Sequence, residues 1–127
     1  MVAGMARSYY NHRVKLPNAS RAFVDIDKLA GYCLNRRHPE GRHKARGFLS
    51  TLGMSAKDAE FLKRALLAAA EAEEARQATE DEYRRRYTLD FVLRRAARTA
   101  LIRSAWIVRR GEDYPRFVTC YVVKESR

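Results

Sequence analysis

Residues 38–48 read HPEGRHKARGF, and this stretch decides how the first half of the chain is organised. From its middle onward, apolar residues recur at the spacing of one helical face: Ala45, Phe48, Leu49 and Leu52. Gly53 follows this stripe and is a typical residue for ending a helix. The pattern therefore predicts a loop that leads into a short amphipathic helix.

The start of this helix collects cations and histidines. Arg42 and Arg46 flank the apolar stripe on one side, and Lys44 flanks it on the other. His43 falls nearly opposite the stripe, while His38 lies in the preceding loop. Cations in a first helical turn oppose the macrodipole, and a phosphate bound close by would remove that cost. The pattern predicts either an anion-binding surface or a solvated basic face.

The overall charge points to a polyanionic partner. The 127 residues contain 26 Lys and Arg against 15 Asp and Glu, which gives a formal net charge of +11. Such an excess attracts polyanions and speeds encounter with them, so nucleic acid, and RNA in particular, is the leading predicted partner. An anionic membrane surface or an acidic protein comes second. The length and the hydrophobic content of 46% fit one folded domain.

The sequence shows no signal for export or for a membrane. No apolar run is long enough to span a bilayer, and the first residues lack the apolar core of a secretory signal. We therefore expect a cytoplasmic protein without membrane insertion. Cys33 and Cys120 fall on positions that read as apolar, which favours free buried thiols over a disulfide.

The chain divides into an arm, a helical part and a strand part. Residues 1–17 show neither helical nor alternating order and predict an N-terminal arm, which leaves residues 18–127 as a single domain. Helices are expected over about residues 25–78, where residues 55–58 resemble a capping box that opens a long helix. Strands are expected over about residues 83–124.

A period of two marks the strand part. The first predicted strand alternates apolar with polar residues, its apolar face being Tyr87, Leu89, Phe91 and Leu93. The next strand places on one face Ile102, Ser104, Trp106 and Val108. The last strand is expected to place on one face Phe117, Thr119, Tyr121 and Val123. Helices followed by strands predict an α+β fold, with N-terminal helices packed on one face of a C-terminal antiparallel β-meander.

The sequence contains no recognisable motif for a metal or a cofactor. His38 and His43 are five positions apart, and Glu40 is the only carboxylate between them, which matches no zinc spacing. A phosphate-binding glycine loop and a nucleophile elbow are also lacking. We therefore expect neither a metal nor a cofactor.

The remaining side chains suit RNA cleavage without a metal. The 2′-hydroxyl is the nucleophile, a base must take its proton, and an acid must protonate the leaving oxygen. An imidazole can act as an acid or as a base near neutral pH, so His38 and His43 are the candidates for either role. Cations must stabilise the charge that develops on the phosphate, and the candidates are Arg42, Lys44, Arg46 and Arg103. Thr119 and Tyr121 are two apart on one strand, so both hydroxyls could position the scissile group.

Each strand residue in this set also has a structural interpretation. Thr119 and Tyr121 are favoured in sheets for their propensity alone. Trp106 is more often a core residue than a stacking platform. Arg103 interrupts an apolar strand and needs water, a ligand or a carboxylate, for which Asp90 on the neighbouring strand is a candidate.

Two segments resemble a known family. Residues 38–53 resemble the signature H-P-x-G-x-x-K-A-x-x-F…L-G, and residues 103–121 resemble the ending V-x-T-x-W-I…P-R-L-V-T-x-Y. Together they resemble a bacterial domain-of-unknown-function family of the 6883 type, over about residues 25–123. Ser104 stands where the family pattern has Thr, which keeps the hydroxyl.

The resemblance carries an expectation about function. That family is similar to C-terminal toxin domains of contact-dependent inhibition and polymorphic toxin systems, which are placed in the barnase–EndoU–colicin–RelE superfold. It implies N-terminal helices, a meander sheet and metal-independent ribonuclease activity. Carried over residue by residue, it points to His38, Lys44, Arg103, Trp106, Thr119 and Tyr121.

We therefore expect an RNA-binding domain, above all a small metal-independent endoribonuclease of toxin type, with an acidic antitoxin or immunity protein as a further partner. The predicted catalytic residues are His38, Lys44, Arg103, Thr119 and Tyr121. The predicted nucleic-acid-binding residues are Arg42, His43, Arg46 and Trp106. The alternative is a non-catalytic basic module of a mobile element, either nucleic-acid-binding or a toxin–antitoxin accessory. An enzyme needs a cleft where these groups meet, whereas the alternative needs only an open basic surface.

Overall fold

The structure is a computed structural model that describes residues 13–124, apart from the side chain of Thr79. Its elements follow in the order β1 (Arg13–Lys15), a 3-10 turn (Ala19–Arg21), α1 (Ile26–Lys28), a wide π-helical turn (Leu29–Cys33), α2 (Arg42–Leu52), a second 3-10 turn (Ala56–Asp58), α3 (Ala59–Ala72), β2 (Glu74–Glu80), β3 (Arg84–Arg95), β4 (Arg98–Arg109) and β5 (Arg116–Val122). Residues 1–12 of the predicted arm lie outside the described range.

The five strands form one antiparallel sheet in the order β1-β2-β3-β4-β5. Helix α2 packs on β4 and β5, and α3 packs on β3. The core between them includes Phe48 and Leu66 from the helices and Ile102 from the sheet. We name the opposite side of the sheet, whose side chains are exposed or half-buried, the outer face. The predicted α+β fold with helices on one face of a meander is confirmed.

Helix α2 begins and ends where the sequence pattern indicates. Gly53 closes it in the left-handed conformation at φ 66°, and its N–H donates to the carbonyl of Leu49. At the other end, a Cβ on Gly41 would collide with the backbone carbonyl of Tyr32, so this close approach requires glycine. The loop before α2 is therefore pressed against the π-helical turn.

The predicted capping box also forms. The side chains of Ser55 and Asp58 bond reciprocally to each other's backbone N–H groups. Arg95, near the end of β3, donates to the Asp58 carboxylate at 3.0 Å and to the carbonyl of Leu52 at 3.1 Å. This contact fixes the start of α3 to the end of the β3–β4 hairpin.

Two predicted boundaries are wrong. The helical part was expected to reach about residue 78, but α3 ends at Ala72 and Glu74–Glu80 forms strand β2. The predicted arm, residues 1–17, was expected to lie outside the domain, but Arg13–Lys15 pairs with β2 and Leu16 is buried in the core. Both errors have one cause, because these segments become strands by pairing with β3 and with each other rather than from their own composition.

The predicted faces of β3 and β4 are confirmed by alternating burial, but that of β5 is wrong. A register shift pairs Ala105 with Thr119 and Trp106 with Phe117, so Val118 is an extra residue on β5. Phe117 consequently turns into the core. Tyr121 lies on the outer face opposite Arg103, whereas the hydroxyl of Thr119, next to the extra residue, lies 3.6 Å from the buried sulfur of Cys33.

Candidate nucleic-acid interface

The outer face contains a groove of about 600 Å³ that crosses all five strands. It begins at the end of α3, and its walls are Arg13, Ala72, Glu73, Glu74, Arg76, Thr88, Asp90, Arg103 and Tyr121. We name this set the sheet-face groove. Its charged groups are three arginines and three carboxylates, so the groove itself is balanced in charge.

Strand register explains why these side chains meet. Asp90, Arg103 and Tyr121 are cross-strand partners in one row over β3, β4 and β5. Arg13 pairs with Arg76, which pairs in turn with Thr88, forming the next row. Directly opposed residues point to the same side of a sheet, so residues distant in sequence line one groove.

Arg103 is held rigidly in this groove. Its Nε and Nη2 donate to the two carboxylate oxygens of Asp90, both at 2.9 Å. The hydrogen bond and charge of Asp90 raise the pKa of Arg103, and the hydroxyl of Tyr121 contributes in the same direction. The predicted Arg103–Asp90 pair is thus present. Asp90 does not use Nη1, which leaves part of the guanidinium for other partners.

Other charged groups of the groove have no such partner. The side chains of Arg13, Arg76 and Glu74 make no hydrogen bond or ion pair with the residues that the structure describes. All three are exposed. A polar ligand in the groove therefore meets cations and a carboxylate that have no protein contact to give up.

A second cluster lies where the loop enters α2. We name Tyr32, His38 and Lys44 the loop–helix cluster. The Nδ1 atom of His38 accepts the backbone N–H groups of Glu40 and Gly41, both at 3.0 Å. The ring of His38 meets the ring of Tyr32 edge-on, and Lys44 Nζ donates to the Tyr32 hydroxyl at 2.9 Å. Only Nε2 of His38 remains for a ligand.

The loop–helix cluster reaches the sheet through Cys33. Its sulfur lies 3.6 Å from the hydroxyl of Thr119. Hydrogen bonding from the side chain and backbone of Cys120 lowers the pKa of the Cys33 thiol to about 6, with Thr119 and the charge of Lys44 contributing, although burial opposes the shift. Burial raises the pKa of the Cys120 thiol, so Cys33 is the more acidic of the two. Both thiols are free and buried, as expected.

A comparison with protein families decides where the chain belongs. The profile of the family described as Domain of unknown function (DUF6883) matches residues 15–124. The chain belongs to this family. No curated protein and no solved structure matches it.

The described part of the DUF6883 domain has neither a membrane-spanning helix nor a metal-binding cluster. In the described residues, no helix combines the length and the apolar character needed to cross a membrane. Within the same part of the chain, no three His, Cys, Asp or Glu side chains come together in a way that could hold a metal ion.

The predicted site residues of the DUF6883 domain do not all meet at one place. The sheet-face groove contains Arg103 and Tyr121. The loop–helix cluster contains His38 and Lys44. Thr119 belongs to neither set, and its hydroxyl lies against the buried thiol of Cys33. The exposed surface of α2 has Arg42, His43 and Arg46.

Trp106, predicted to bind nucleic acid, does not lie on the surface. It is fully buried in the DUF6883 core, and its indole N–H donates to Ser104 Oγ at 2.9 Å. The Ser104 hydroxyl donates in turn to the carbonyl of Leu89. Trp106 is therefore a satisfied core residue with no surface to offer a base.

Sequence reasoning missed the groove residues on the first two strands. Arg13 lay in the predicted arm, while Glu74 and Arg76 lay in the predicted helical tail. Their own sequence gives no strand signal, because alternation in residues 74–80 is weak. Asp90 was considered only as a structural partner, and Cys33 only as a buried thiol.

Proposed function

We propose that this DUF6883 domain binds RNA in the sheet-face groove and cleaves it without a metal. One observation carries the proposal: the groove combines arginines and a carboxylate that have no partner in the described part of the chain with a hydroxyl beside a fixed guanidinium. These are the cations, the base and the proton donor that cleavage by the 2′-hydroxyl requires. The net charge of +11 supports a polyanionic substrate.

Each group has a role in this proposal. Glu74 takes the proton of the 2′-hydroxyl, whose oxygen attacks the adjacent phosphorus. Arg76 and Arg103 stabilise the charge on the phosphoryl oxygens. The bond from phosphorus to the 5′-oxygen breaks, and Tyr121 gives its proton to that oxygen. The products are a 2′,3′-cyclic phosphate and a free 5′-hydroxyl, and no other reactant is consumed.

The loop–helix cluster is a weaker candidate for the chemistry. His38 Nδ1 already accepts two backbone N–H groups, so a neutral ring carries its proton on Nε2 and has no free lone pair. Lys44 is engaged with the Tyr32 hydroxyl. The catalytic roles of His38 and Lys44 therefore stay predictions, and the groove residues are the better test.

The test is single-turnover cleavage of single-stranded RNA in EDTA, which silences contaminating metal nucleases. Wild-type protein should produce 2′,3′-cyclic phosphate ends. Glu74→Gln should slow cleavage at least about a hundredfold, in the range seen for general acid–base catalysis. Glu60→Gln, an exposed change on α3, is the matched control and should cleave like wild type. The absence of EDTA-resistant cleavage by wild-type protein would overturn the enzymatic proposal.

A non-catalytic function is the second candidate, because exposed cations also lie outside the groove. On the loop and on α2 these are Arg36, Arg37, Arg42 and Arg46. Such a surface suits nucleic-acid binding through phosphates alone. RNA binding that falls steeply with salt, without any cleavage, would favour this candidate.

The resemblance to toxin domains adds a biological proposal. An acidic antitoxin or immunity protein would cover the groove in the cytoplasm, where the RNA substrate is found. Induced expression of the wild-type domain should arrest growth, and Glu74→Gln should relieve the arrest at equal protein level. Equal arrest by both proteins would contradict this proposal.

A further inference from the structure

The outer face also contains an exposed apolar patch that neither the fold nor the proposed chemistry uses. Val92 is 67% exposed and Leu101 is 40% exposed, and both lie within long strands, close to the β3–β4 turn. They are cross-strand partners, and the N–H of Val123 donates to the carbonyl of Leu101 at 2.8 Å. The three side chains therefore lie together on neighbouring strands.

This patch adjoins the sheet-face groove. Tyr121 on β5 is 36% exposed and stands two residues before Val123, which directly follows the strand. Arg103 stands two residues after Leu101 on β4. Residues two apart on a strand share a face and are about 6.6 Å apart. The aromatic ring, the fixed guanidinium and the apolar patch thus form one continuous surface. We name Val92, Leu101, Tyr121 and Val123 the apolar shelf.

Cations bracket the apolar shelf on both sides. Arg103 lies at its groove side, and Arg94 lies two residues beyond Val92 on the same face of β3. Arg94 is exposed, whereas its neighbour Arg95 turns inward to the helices. The two levels are four residues apart along the strands, about 13 Å. Along the strand direction, the outer face therefore presents a cation, an apolar surface and a second cation in turn.

We infer that the apolar shelf binds unpaired nucleobases of a single RNA strand, while Arg94 and Arg103 hold the phosphates on either side. The inference rests on the proposed function and names its substrate as single-stranded. Every base has an apolar face that stacks on an aromatic ring or lies on an aliphatic surface, whatever its sequence. The bracketing cations match the backbone of such a strand.

The test compares two uncleavable strands. One is a 2′-O-methyl RNA single strand of mixed sequence, and the other is a strand of equal length and charge made of abasic tetrahydrofuran spacers. Wild-type protein should bind the base-bearing strand about tenfold more tightly, as expected when a base stacks on an aromatic side chain. The double variant Val92→Thr, Leu101→Thr and the single variant Tyr121→Ser should each lose most of this preference. Tyr121→Phe keeps the ring and should retain it.

Matched controls come from exposed apolar residues elsewhere. Phe61 on α3 and Tyr83 in the β2–β3 loop are also exposed. Phe61→Gln and Tyr83→Ser should leave the preference for bases unchanged. We expect every variant to be folded, because threonine and serine at exposed strand positions cost little stability. A circular dichroism melt of each variant checks this.

The outcomes separate the two proposals. Equal binding of both strands by wild-type protein would overturn the apolar shelf and leave RNA binding intact. No binding of either strand would overturn the proposed function itself. A preference that survives in the double variant would also overturn the inference, and a dimer that dissociates in that variant would assign the outer face to a second copy of the chain.

Discussion

The sheet-face groove and the loop–helix cluster both contain polar and charged side chains, but they differ in how many of these already have a hydrogen-bond partner in the protein. In the loop–helix cluster each polar group already has a protein partner: His38 accepts two backbone N–H groups and Lys44 donates to Tyr32. In the sheet-face groove Arg103 and Asp90 are firmly paired, while Arg76 and Glu74 are exposed and have no partner among the residues that the structure describes.

This difference bears on which side chains are available to a ligand. A polar group that already has its hydrogen bonds gains little from a ligand, because binding must first break a protein contact. A group that faces solvent on a rigid strand is positioned without that cost. The groove therefore is suited to bind a ligand, and the loop–helix cluster is suited to hold the start of α2.

The largest expected effect is on cleavage. Tyr121→Phe keeps the ring and the strand but removes the proposed proton donor. Single-turnover cleavage should slow by about 10²–10³-fold, the typical loss for one transition-state hydrogen bond in a preorganised site. The Kd for 2′-O-methyl RNA should hardly change, because the hydroxyl acts on the developing charge. Tyr83→Phe is the control, and equal rates for wild type and Tyr121→Phe would remove Tyr121 from the mechanism.

The next effect is on affinity and compares the two regions directly. Arg13→Gln with Arg76→Gln should weaken RNA binding by about thirtyfold, since each of the two lost phosphate contacts is worth on the order of 1 kcal/mol. The slope of log K against log salt should become shallower by about 0.7 for each contact. The matched pair Arg42→Gln with Arg46→Gln removes the same charge from α2 and should have less than about a threefold effect. The reverse order would move the RNA to α2.

A smaller effect concerns stability. His38→Ala leaves the N–H groups of Glu40 and Gly41 without their acceptor, which should lower the free energy of unfolding by about 1–2 kcal/mol in urea titrations. Cleavage at a temperature where the variant is folded should stay within about threefold of wild type. His43→Ala, on the exposed side of α2, should change stability by less than about 0.5 kcal/mol. A large loss of cleavage with unchanged stability would instead make His38 catalytic.

The smallest effect is on the pH dependence of stability. The pKa of Cys33 is about 6 in the folded protein against an ordinary value of 9.0, so the unfolded state binds more protons between these values. The contribution of Cys33 to the free energy of unfolding should therefore grow from about pH 6 to pH 9 and disappear as the pH falls through about 6. Urea titrations in reductant should show a weaker rise for Cys33→Ser. Identical pH profiles would contradict this assignment.

The sequence predicts the parts of the fold that depend on local pattern. Helix α2 ends at Gly53 because only a left-handed residue fits there, and the Ser55–Asp58 bonds depend on spacing alone. Strand β2 could not be predicted, because Glu74–Glu80 becomes a strand only through its pairing with β3. The extra residue Val118, which separates Phe117 from the outer face, is likewise set by the pairing with β4.

The candidate site follows the same rule. Arg103 was predicted because it interrupts an apolar strand, and Tyr121 because it lies two residues from Thr119 on one strand and within the family-like ending. Arg76 and Glu74 join them only through sheet register, which a sequence without an alignment does not fix. His38 and Lys44 were predicted because cations and histidines are concentrated at the start of α2. In the structure each is engaged within the protein, since His38 accepts the N–H of Gly41 and Lys44 donates to the Tyr32 hydroxyl.

We propose above all that RNA binds to the outer face of the sheet rather than to the surface of α2. Amide chemical-shift mapping of the labelled domain, titrated with a 2′-O-methyl RNA single strand, tests it most directly. We expect the largest chemical-shift changes at Thr88, Arg103 and Tyr121, with small changes along α2. Changes concentrated at Arg42 and Arg46, with the sheet unaffected, would contradict it.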